Sequence, residues 1–216
     1  RLTEMVVELL DFTRIQDGQM TLNMELTDVR SEFEDTVYIA IEKIKLNKKH
    51  FEESKPHKRP FFYPGSMSPK LARCMVNLSR VTEGDLLLDP FCGTGVVLQE
   101  ALLMGYVAYG TDISERMAEY SEKNLKYFGF EKYKVEVGDA TSFQWERPIN
   151  VVACEGYLGR PFSRIPKDIE LKEQKVECGS IVLGFLKNIL AQIESGVPVT
   201  IAVPAWLRED GEYERI

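Results

Sequence analysis

Three aspartates follow short apolar runs in the middle of the chain, and their spacing suggests a binding site. Asp89 and Asp112 each close such a run, and Asp139 follows the third run after a single glycine. Asp112 lies 23 residues after Asp89. That is about the separation expected of a carboxylate that accepts hydrogen bonds from ribose hydroxyls. The three acids therefore predict a site for a nucleoside-like ligand.

A glycine turn separates the first run from a helical pattern that begins at Val96. A strand that enters a helix through a tight loop is the usual ligand position in an open α/β sheet. Gly93 and Gly95 would let a ligand approach the backbone, and free N–H groups at the helix start favour a polar group there. The turn lacks the third glycine of the dinucleotide fingerprint, and the chain has no G-x-x-x-x-G-K-[ST]. A phosphate site is therefore less well supported.

Strand and helix patterns alternate through residues 70–203. The predicted strands cover 86–89, 106–112, 134–137, 150–154 and 197–203, and the predicted helices cover 70–80, 96–104, 114–128 and 174–193. Strands that alternate with helices predict an α/β fold, a Rossmann-like sheet with helices on both faces.

Composition limits the classes of protein. The chain has 216 residues, 44% of them hydrophobic and 28% charged, which predicts one globular domain with a small appendage. A net charge of −7 is unusual for a protein that binds only nucleic acid, and it favours a small-molecule substrate. The four cysteines and two histidines have no metal-ligand spacing, so we expect reduced thiols, a cytoplasmic location and no metal. No apolar run reaches the roughly 20 residues of a membrane span, so we expect no membrane partner.

The glycine turn and the later acids together resemble a known cofactor site. Asp89-Pro90-Phe91-Cys92-Gly93-Thr94-Gly95, with Asp112 and Gly138-Asp139-Ala140, is similar to the site of class I S-adenosylmethionine-dependent methyltransferases. The form D-P-F-x-G-x-G resembles the branch that methylates exocyclic amino groups of nucleic-acid bases. The stretch 59–73, RPFFYPGSMSPKLAR, is similar to tRNA guanine-N2 methyltransferases. The resemblance covers about residues 47–203.

This resemblance implies S-adenosyl-L-methionine as the cofactor and RNA, in particular a guanine of tRNA, as the substrate. It also implies which residues bind the cofactor: Ser66, Asp89, Pro90, Phe91, Gly93, Gly95, Asp112, Ile113, Asp139 and Ala140.

The fourth strand departs from the family pattern. Base amino-methyltransferases end it in Asp/Asn-Pro-Pro-Tyr/Phe, where the acid accepts hydrogen bonds from the target amine and the aromatic ring stacks on the flipped base. This chain has Glu155-Gly156-Tyr157, with one residue fewer. Alignment from the strand gives Glu155 and Tyr157 the catalytic roles, whereas alignment from the tyrosine puts Cys154 at the acid position. We prefer the first alignment because it keeps a carboxylate at the strand end. The departure leaves a domain that binds the cofactor without catalysis as an alternative.

A basic linker, 55–60, precedes the aromatic residues Phe61, Phe62 and Tyr63. Such a combination can hold RNA by stacking and charge. A charge run is more often a solvated loop, and we favour that interpretation here.

Residues 1–46 form a predicted helix–strand–helix appendage, and residues 47–216 the methyltransferase domain. The helices cover 1–15 and 29–46, and the strand covers 20–26. Residues 9–22 resemble the dimerisation helix of bacterial sensor histidine kinases and its exit strand. The phosphoacceptor histidine and ATP-binding motifs are absent from the sequence, so kinase activity is not expected. We favour an amphipathic appendage, and a fusion or chimera remains open as its origin.

The closing antiparallel hairpin of a methyltransferase sheet is missing from the sequence after residue 203. We therefore expect a sheet without its last two strands. Either the chain is a fragment, or another chain covers the uncovered edge, which would give a homodimer through that edge or the N-terminal helices.

Overall fold

The computed structural model of the chain describes the backbone of residues 6–11, 15–16, 19–20 and 23–28, and residues 48–216 apart from 83 and 209. The strands are β1 Val6–Asp11, β2 Ile15–Gln16, β3 Gln19–Met20, β4 Asn23–Asp28, β5 Leu86–Asp89, β6 Val107–Asp112, β7 Tyr133–Val137, β8 Val151–Glu155, β9 Val199–Val203, β10 Ala205–Leu207 and β11 Tyr213–Arg215. The α-helices are α1 Lys48–Glu53, α2 Pro69–Leu78, α3 Val96–Leu103, α4 Glu115–Tyr127 and α5 Asp168–Leu190.

Seven strands form one sheet in the order β4-β1-β9-β8-β5-β6-β7. The five strands from β9 to β7 are parallel to one another. β1 runs antiparallel to both β9 and β4, its two neighbours. The predicted α/β class and the predicted central strands are thus confirmed.

The prediction for the N-terminal segment is wrong in part. Val6–Asp11 is a strand, where helical periodicity predicted a helix over 1–15. β1 is hydrogen-bonded to a strand on each side. Its pairing with β9 runs from Val6 opposite Val203 to Leu10 opposite Val199. Pairing with β4 and with β9, which is distant in the sequence, outweighs local periodicity at this position. The predicted helix over 29–46 lies outside the described residues.

The expectation of a sheet without its last two strands is also wrong. β1 and β4 occupy the positions beyond β9, so the chain's own N-terminal segment completes this edge. Pairing satisfies the N–H and C=O groups of β9 that an open edge would expose. A second copy is not needed to cover β9. A homodimer, the kinase-like origin of this segment and the boundary at residue 46 stay predictions.

The core lies on both faces of the sheet. Leu88 packs in a cluster with Phe185 and Ile189 of α5, whereas Leu87 packs on the other face with Met75 of α2. Alternate residues of a strand point to opposite faces, and β5 is covered on both. A run of apolar residues at 86–88 is what such a strand requires.

Two helix starts follow from local sequence. Ser68 accepts a hydrogen bond from the backbone N–H of Leu71 at 3.3 Å, and Pro69 occupies the first turn of α2. α5 begins at Asp168, earlier than the predicted start at residue 174, because Glu170 accepts a hydrogen bond from the N–H of Lys167 at 2.9 Å. The hairpin of β10 and β11 was not predicted.

Within the described ranges, no helix combines the length and apolarity that crossing a bilayer requires. The same residues contain no cluster of three or more histidine, cysteine or acidic side chains arranged to hold a metal ion. The predicted cytoplasmic location stays a prediction.

Candidate active site

The strand order creates a crevice between β5 and β8. After β5 the chain continues outward to β6 and β7, then returns to the other side of β5 as β8. Ligands of open α/β sheets bind at such a reversal, outside the carboxyl ends of the strands. Here those ends carry Asp89, Asp112 and Glu155, from β5, β6 and β8. The sheet therefore brings together three of the predicted site residues.

Asp112 holds the glycine turn. Its Oδ2 accepts a hydrogen bond from the N–H of Gly93 at 2.9 Å, and its Oδ1 accepts one from the N–H of Ser114 at 2.9 Å. Burial raises the pKa of Asp112, and these two N–H donors oppose the rise. Each carboxylate oxygen has a second lone pair, so Asp112 can still accept hydrogen bonds from a ligand.

Asp89 lies beneath the turn and is buried. Its Oδ1 accepts a hydrogen bond from the N–H of Phe91 at 3.1 Å. Burial raises the pKa of Asp89 well above its usual range, and the charges of Asp112 and Glu155 add to the rise. The carboxyl groups of Asp89, Asp112 and Glu155 therefore lie close enough for their negative charges to interact. Asp89 thus contacts the backbone of the turn, and its role in cofactor binding stays a prediction.

A side chain at Gly95 would be strained and would crowd Ser121 of α4. Its φ is +82°, and an added Cβ would lie 2.4 Å from Ser121 Oγ and 3.3 Å from Ser121 Cα. The turn therefore packs directly on α4. By contrast, an added Cβ at Gly93 would have only the carbonyl oxygen of Phe91 within 4.0 Å, so its surface is open.

A segment before α2 is fastened to the same turn. Arg59 donates from Nη1 to Thr94 Oγ1 at 3.1 Å and from Nη2 to the carbonyl oxygen of Thr94 at 2.5 Å. Ser66 Oγ lies 3.2 Å from Thr94 Oγ1. Asn124 of α4 also donates to the Thr94 carbonyl, at 3.1 Å. Three side chains, from two parts of the chain, thus converge on Thr94.

Sequence reasoning missed Arg59 by treating the basic linker as solvated. Only 4% of Arg59 is exposed, and burial lowers its pKa to about 10, opposed by the charge of Glu100. Thr94 and Asn124 were also missed. The proline after Arg59 and the aromatic residues beyond it were the available signals of a docked segment, but its partners are distant in the sequence.

The other predicted cofactor residues lie around the same edge. Ile113 follows Asp112 and is 72% exposed. Asp139 is exposed, and its Oδ1 accepts hydrogen bonds from the N–H and Oγ1 of Thr141 at 2.9 and 2.7 Å. Ala140, Pro90 and Phe91 are more enclosed; the ring of Phe91 meets that of Phe185 edge-on at 5.4 Å. The structure therefore places Ile113 and Asp139 where a ligand could reach them.

Glu155 ends β8 with a perturbed carboxyl group. Burial raises its pKa to about 7. A carboxyl group whose pKa lies near 7 can both accept a hydrogen bond and take up a proton at ordinary pH. Cys154, the alternative acid position, is fully buried, and burial raises the pKa of its thiol well above the usual range. Of the two candidate positions, only Glu155 carries a carboxyl group, and its catalytic role stays a prediction.

The turn after Glu155 is closely packed. The N–H of Gly156 donates to the carbonyl oxygen of Ala202 at 2.9 Å, which extends the pairing of β8 with β9. An added Cβ at Gly156 would lie 3.2 Å from that oxygen. Tyr157 is half-buried against a cluster that contains Trp206, and its hydroxyl donates to Glu177 Oε1 at 3.1 Å. Tyr157 is thus held by α5, two residues beyond Glu155.

The parallel sheet, the reversal between β5 and β8, and the acid-lined glycine turn define the class I methyltransferase fold. The chain belongs to the RMKL-like methyltransferase domain family, which matches residues 56–173.

Relatives and solved structures agree with this assignment. The chain is 40% identical over 162 residues to the tRNA (guanine(10)-N2)-dimethyltransferase of Methanothermobacter thermautotrophicus, with 75% of this chain and 46% of that protein covered. It is 42% identical over 132 residues to the Pyrococcus abyssi protein of the same name, with 61% and 36% covered. The chain thus spans less than half the length of these curated relatives. The crystal structure of TrmN from Thermus thermophilus shares the fold, with a TM-score of 0.54, 22% identity, and coverage of 65% of this chain and 39% of that chain.

Proposed function

We propose that the chain carries the catalytic domain of an S-adenosylmethionine-dependent methyltransferase that acts on the exocyclic amine of a guanine in tRNA. The observation that carries this proposal is the meeting of Asp112, the glycine turn and Glu155 at one edge of the sheet. The names of the relatives support a tRNA guanine as the acceptor. Their greater length makes the activity of the whole protein part of the proposal.

The residues present fit the cofactor. Asp112 is partly buried, keeps lone pairs for two ribose hydroxyls, and is fixed by two backbone N–H groups. The exposed side chain of Ile113 offers an apolar surface to the adenine ring. The open backbone at Gly93 leaves room for the methionine portion. Asp89, Pro90, Phe91, Gly95 and Ser66 would support this turn, and Asp139 and Ala140 would border the adenine.

When bound, S-adenosylmethionine supplies a methyl group already activated on a sulfonium. The protein must therefore orient the acceptor lone pair and exclude water. Glu155 would accept a hydrogen bond from the guanine amine, and its pKa of about 7 suits it to take the proton that the amine releases. Tyr157 would offer a ring to the extruded base, a contact worth about 1–3 kcal/mol.

The test is calorimetric titration with S-adenosylmethionine and S-adenosylhomocysteine, followed by transfer of a labelled methyl group to bulk tRNA. Nucleoside mass spectrometry should then find N2-methylated guanine. Saturable cofactor binding with methylated guanine supports the proposal. Cofactor binding with transfer to small amines alone would replace it with a small-molecule methyltransferase, which the net charge of −7 favours.

A cofactor-binding domain without catalysis is the second candidate. The observation that favours it is the hydroxyl of Tyr157, which is bonded to Glu177 within a packed cluster. A ring held in this way would have to move if the base stacked on its packed face. Tight binding of the cofactor, with no transfer to tRNA or to small amines, would support this candidate.

A further inference from the structure

The segment 61–63 lies along one face of α4. Arg116, Tyr120 and Lys123 are spaced at i, i+4 and i+7, which places them on a single helical face. We use the term cation–aromatic ledge for Phe61, Phe62, Tyr63, Arg116, Tyr120 and Lys123.

Ring contacts fix the segment to the helix. Lys123 Nζ lies 5.0 Å from the ring centroid of Phe61, and Arg116 Cζ lies 5.5 Å from that of Tyr63. The rings of Phe61 and Tyr120 have centroids 5.1 Å apart. Cations at this distance from a ring face are attracted to it. The ledge is therefore an ordered surface on which cations and rings alternate.

The backbone of the segment is also held. The N–H of Phe61 donates to Asn124 Oδ1 at 3.1 Å, and Asn124 Nδ2 donates to the carbonyl oxygen of Phe61 at 2.9 Å. Despite this anchoring, 47% of Phe62 and 46% of Tyr63 remain exposed. Two aromatic side chains are thus presented to solvent next to a backbone position, Phe61, that is hydrogen-bonded to α4.

The ledge leads to the candidate active site. Segment 61–63 passes from Lys123 toward Arg116, that is, toward the start of α4 and Asp112. Ser66 Oγ donates to the carbonyl oxygen of Tyr63 at 2.7 Å and lies 3.2 Å from Thr94 Oγ1 in the glycine turn. A strand of nucleotides lying on the ledge would therefore reach the site edge.

We propose that the ledge binds a single-stranded stretch of the substrate RNA beside the target base. This inference rests on the proposed function and adds a docking surface to it. Bases would stack on Phe62 and Tyr63, and Arg116 and Lys123 would face the phosphates. Glu119 pairs with Lys123, and Glu115 and Glu122 lie on the same helix. Stacking rather than charge therefore supplies most of the affinity.

The experiment measures fluorescence anisotropy of a labelled oligouridylate and of labelled tRNA with the whole chain. Phe62→Ala and Tyr63→Ala should each weaken RNA affinity about tenfold, since one stacked base is lost in each. Tyr63→Phe should retain it. Affinity for S-adenosylmethionine should not change. Tyr213→Ala, on β11, is the matched control because Tyr213 is also an exposed aromatic residue outside the ledge.

In turnover on tRNA, the two alanine variants should raise KM with little change in kcat. If Phe62→Ala and Tyr63→Ala both keep the RNA affinity of the parent chain and methyl transfer is intact, the ledge does not bind RNA, and the proposed function still stands. If both variants bind RNA more weakly but the parent chain transfers no methyl group to any RNA, the ledge stands and the proposed function is overturned. Failure of the parent chain to bind RNA, with the ledge binding a protein segment instead, would overturn the ledge as an RNA surface.

Discussion

Arg59 reaches across the chain to Thr94, and its guanidinium bonds both the hydroxyl and the carbonyl oxygen of that residue. The contact joins a segment before α2 to the turn between β5 and α3. Because the turn is the proposed cofactor site, we expect Arg59 to act as a positioning residue for it.

Replacing Arg59 should weaken cofactor binding. Arg59→Ala removes two hydrogen bonds from the turn, each worth about 0.5–1.5 kcal/mol, so we expect an affinity about tenfold lower. Arg59→Lys keeps a cation but cannot form the bidentate pair of hydrogen bonds. Its cofactor affinity should therefore lie between those of the parent chain and Arg59→Ala. Calorimetry measures the affinity, and thermal unfolding separates it from loss of fold. Arg147→Ala, at an exposed arginine, is the control. Equal affinity for all three variants would reject the positioning role.

Asp112→Ala should abolish cofactor binding while the chain stays folded. It removes a carboxylate that would accept ribose hydroxyls, and charge-assisted bonds contribute about 1.5–3 kcal/mol each, so affinity should fall about 100-fold or more. Asp85→Ala is a matched control, because Asp85 also accepts a backbone N–H, that of Thr82, at the opposite end of β5. Titration of both variants checks the prediction, and unchanged affinity in Asp112→Ala would reject the ribose assignment.

Glu155→Gln should spare cofactor binding and reduce methylation about 100-fold or more, because the amide cannot take up a proton. In the parent chain the rate should fall about tenfold per pH unit below about 7, where the carboxyl group becomes protonated. The variant should lose this dependence. Initial rates across the neutral range measure it, and a parent profile that is flat through pH 7 would contradict the assignment.

The raised pKa of Glu155 also predicts how the free energy of unfolding changes with pH. Its pKa is raised from 4.5 to about 7 on folding, so the folded state binds more protons between these values. Stability contributed by this group should therefore decrease as pH rises from about 4.5 to about 7, and then level off. Denaturant unfolding of the parent and of Glu155→Gln at several pH values checks this. A parent that gains stability relative to the variant over this interval would contradict it.

Deletion of residues 1–28 should destabilise the chain and cause association. It removes β1 and β4 and uncovers the edge of β9, all five residues of which are buried. Open apolar edges pair with other chains. Leu9→Pro should act in the same direction at constant length, because proline cannot donate within a central strand, whereas Leu9→Val should be tolerated. Light scattering and thermal unfolding provide the measurement. A monomeric deletion variant of unchanged stability would show that the edge does not need β1.

Local patterns predicted the centre of the fold well. The apolar run 86–88, the glycines after it and the later strand-ending acids each have a local physical signature, namely burial on both faces, positive φ and a position directly after an apolar run. These features depend on residues that are neighbours in the chain, so the sequence is enough to reveal them.

The N-terminal segment shows where this reasoning fails. Residues 1–15 have helical periodicity, yet Val6–Asp11 pairs with β9, which follows it by almost the whole chain. Short apolar runs are compatible with either state, and the partner strand decides between them.

The sequence by itself determined the class of fold, the glycine turn and the carboxylates at the strand ends, because each arises from residues close together in the chain. Tertiary structure alone decided that Arg59 is buried against Thr94, that the aromatic segment lies on α4, and that β1 and β4 complete the sheet. These contacts join residues far apart in sequence, and their energies depend on burial and pairing that no local pattern encodes.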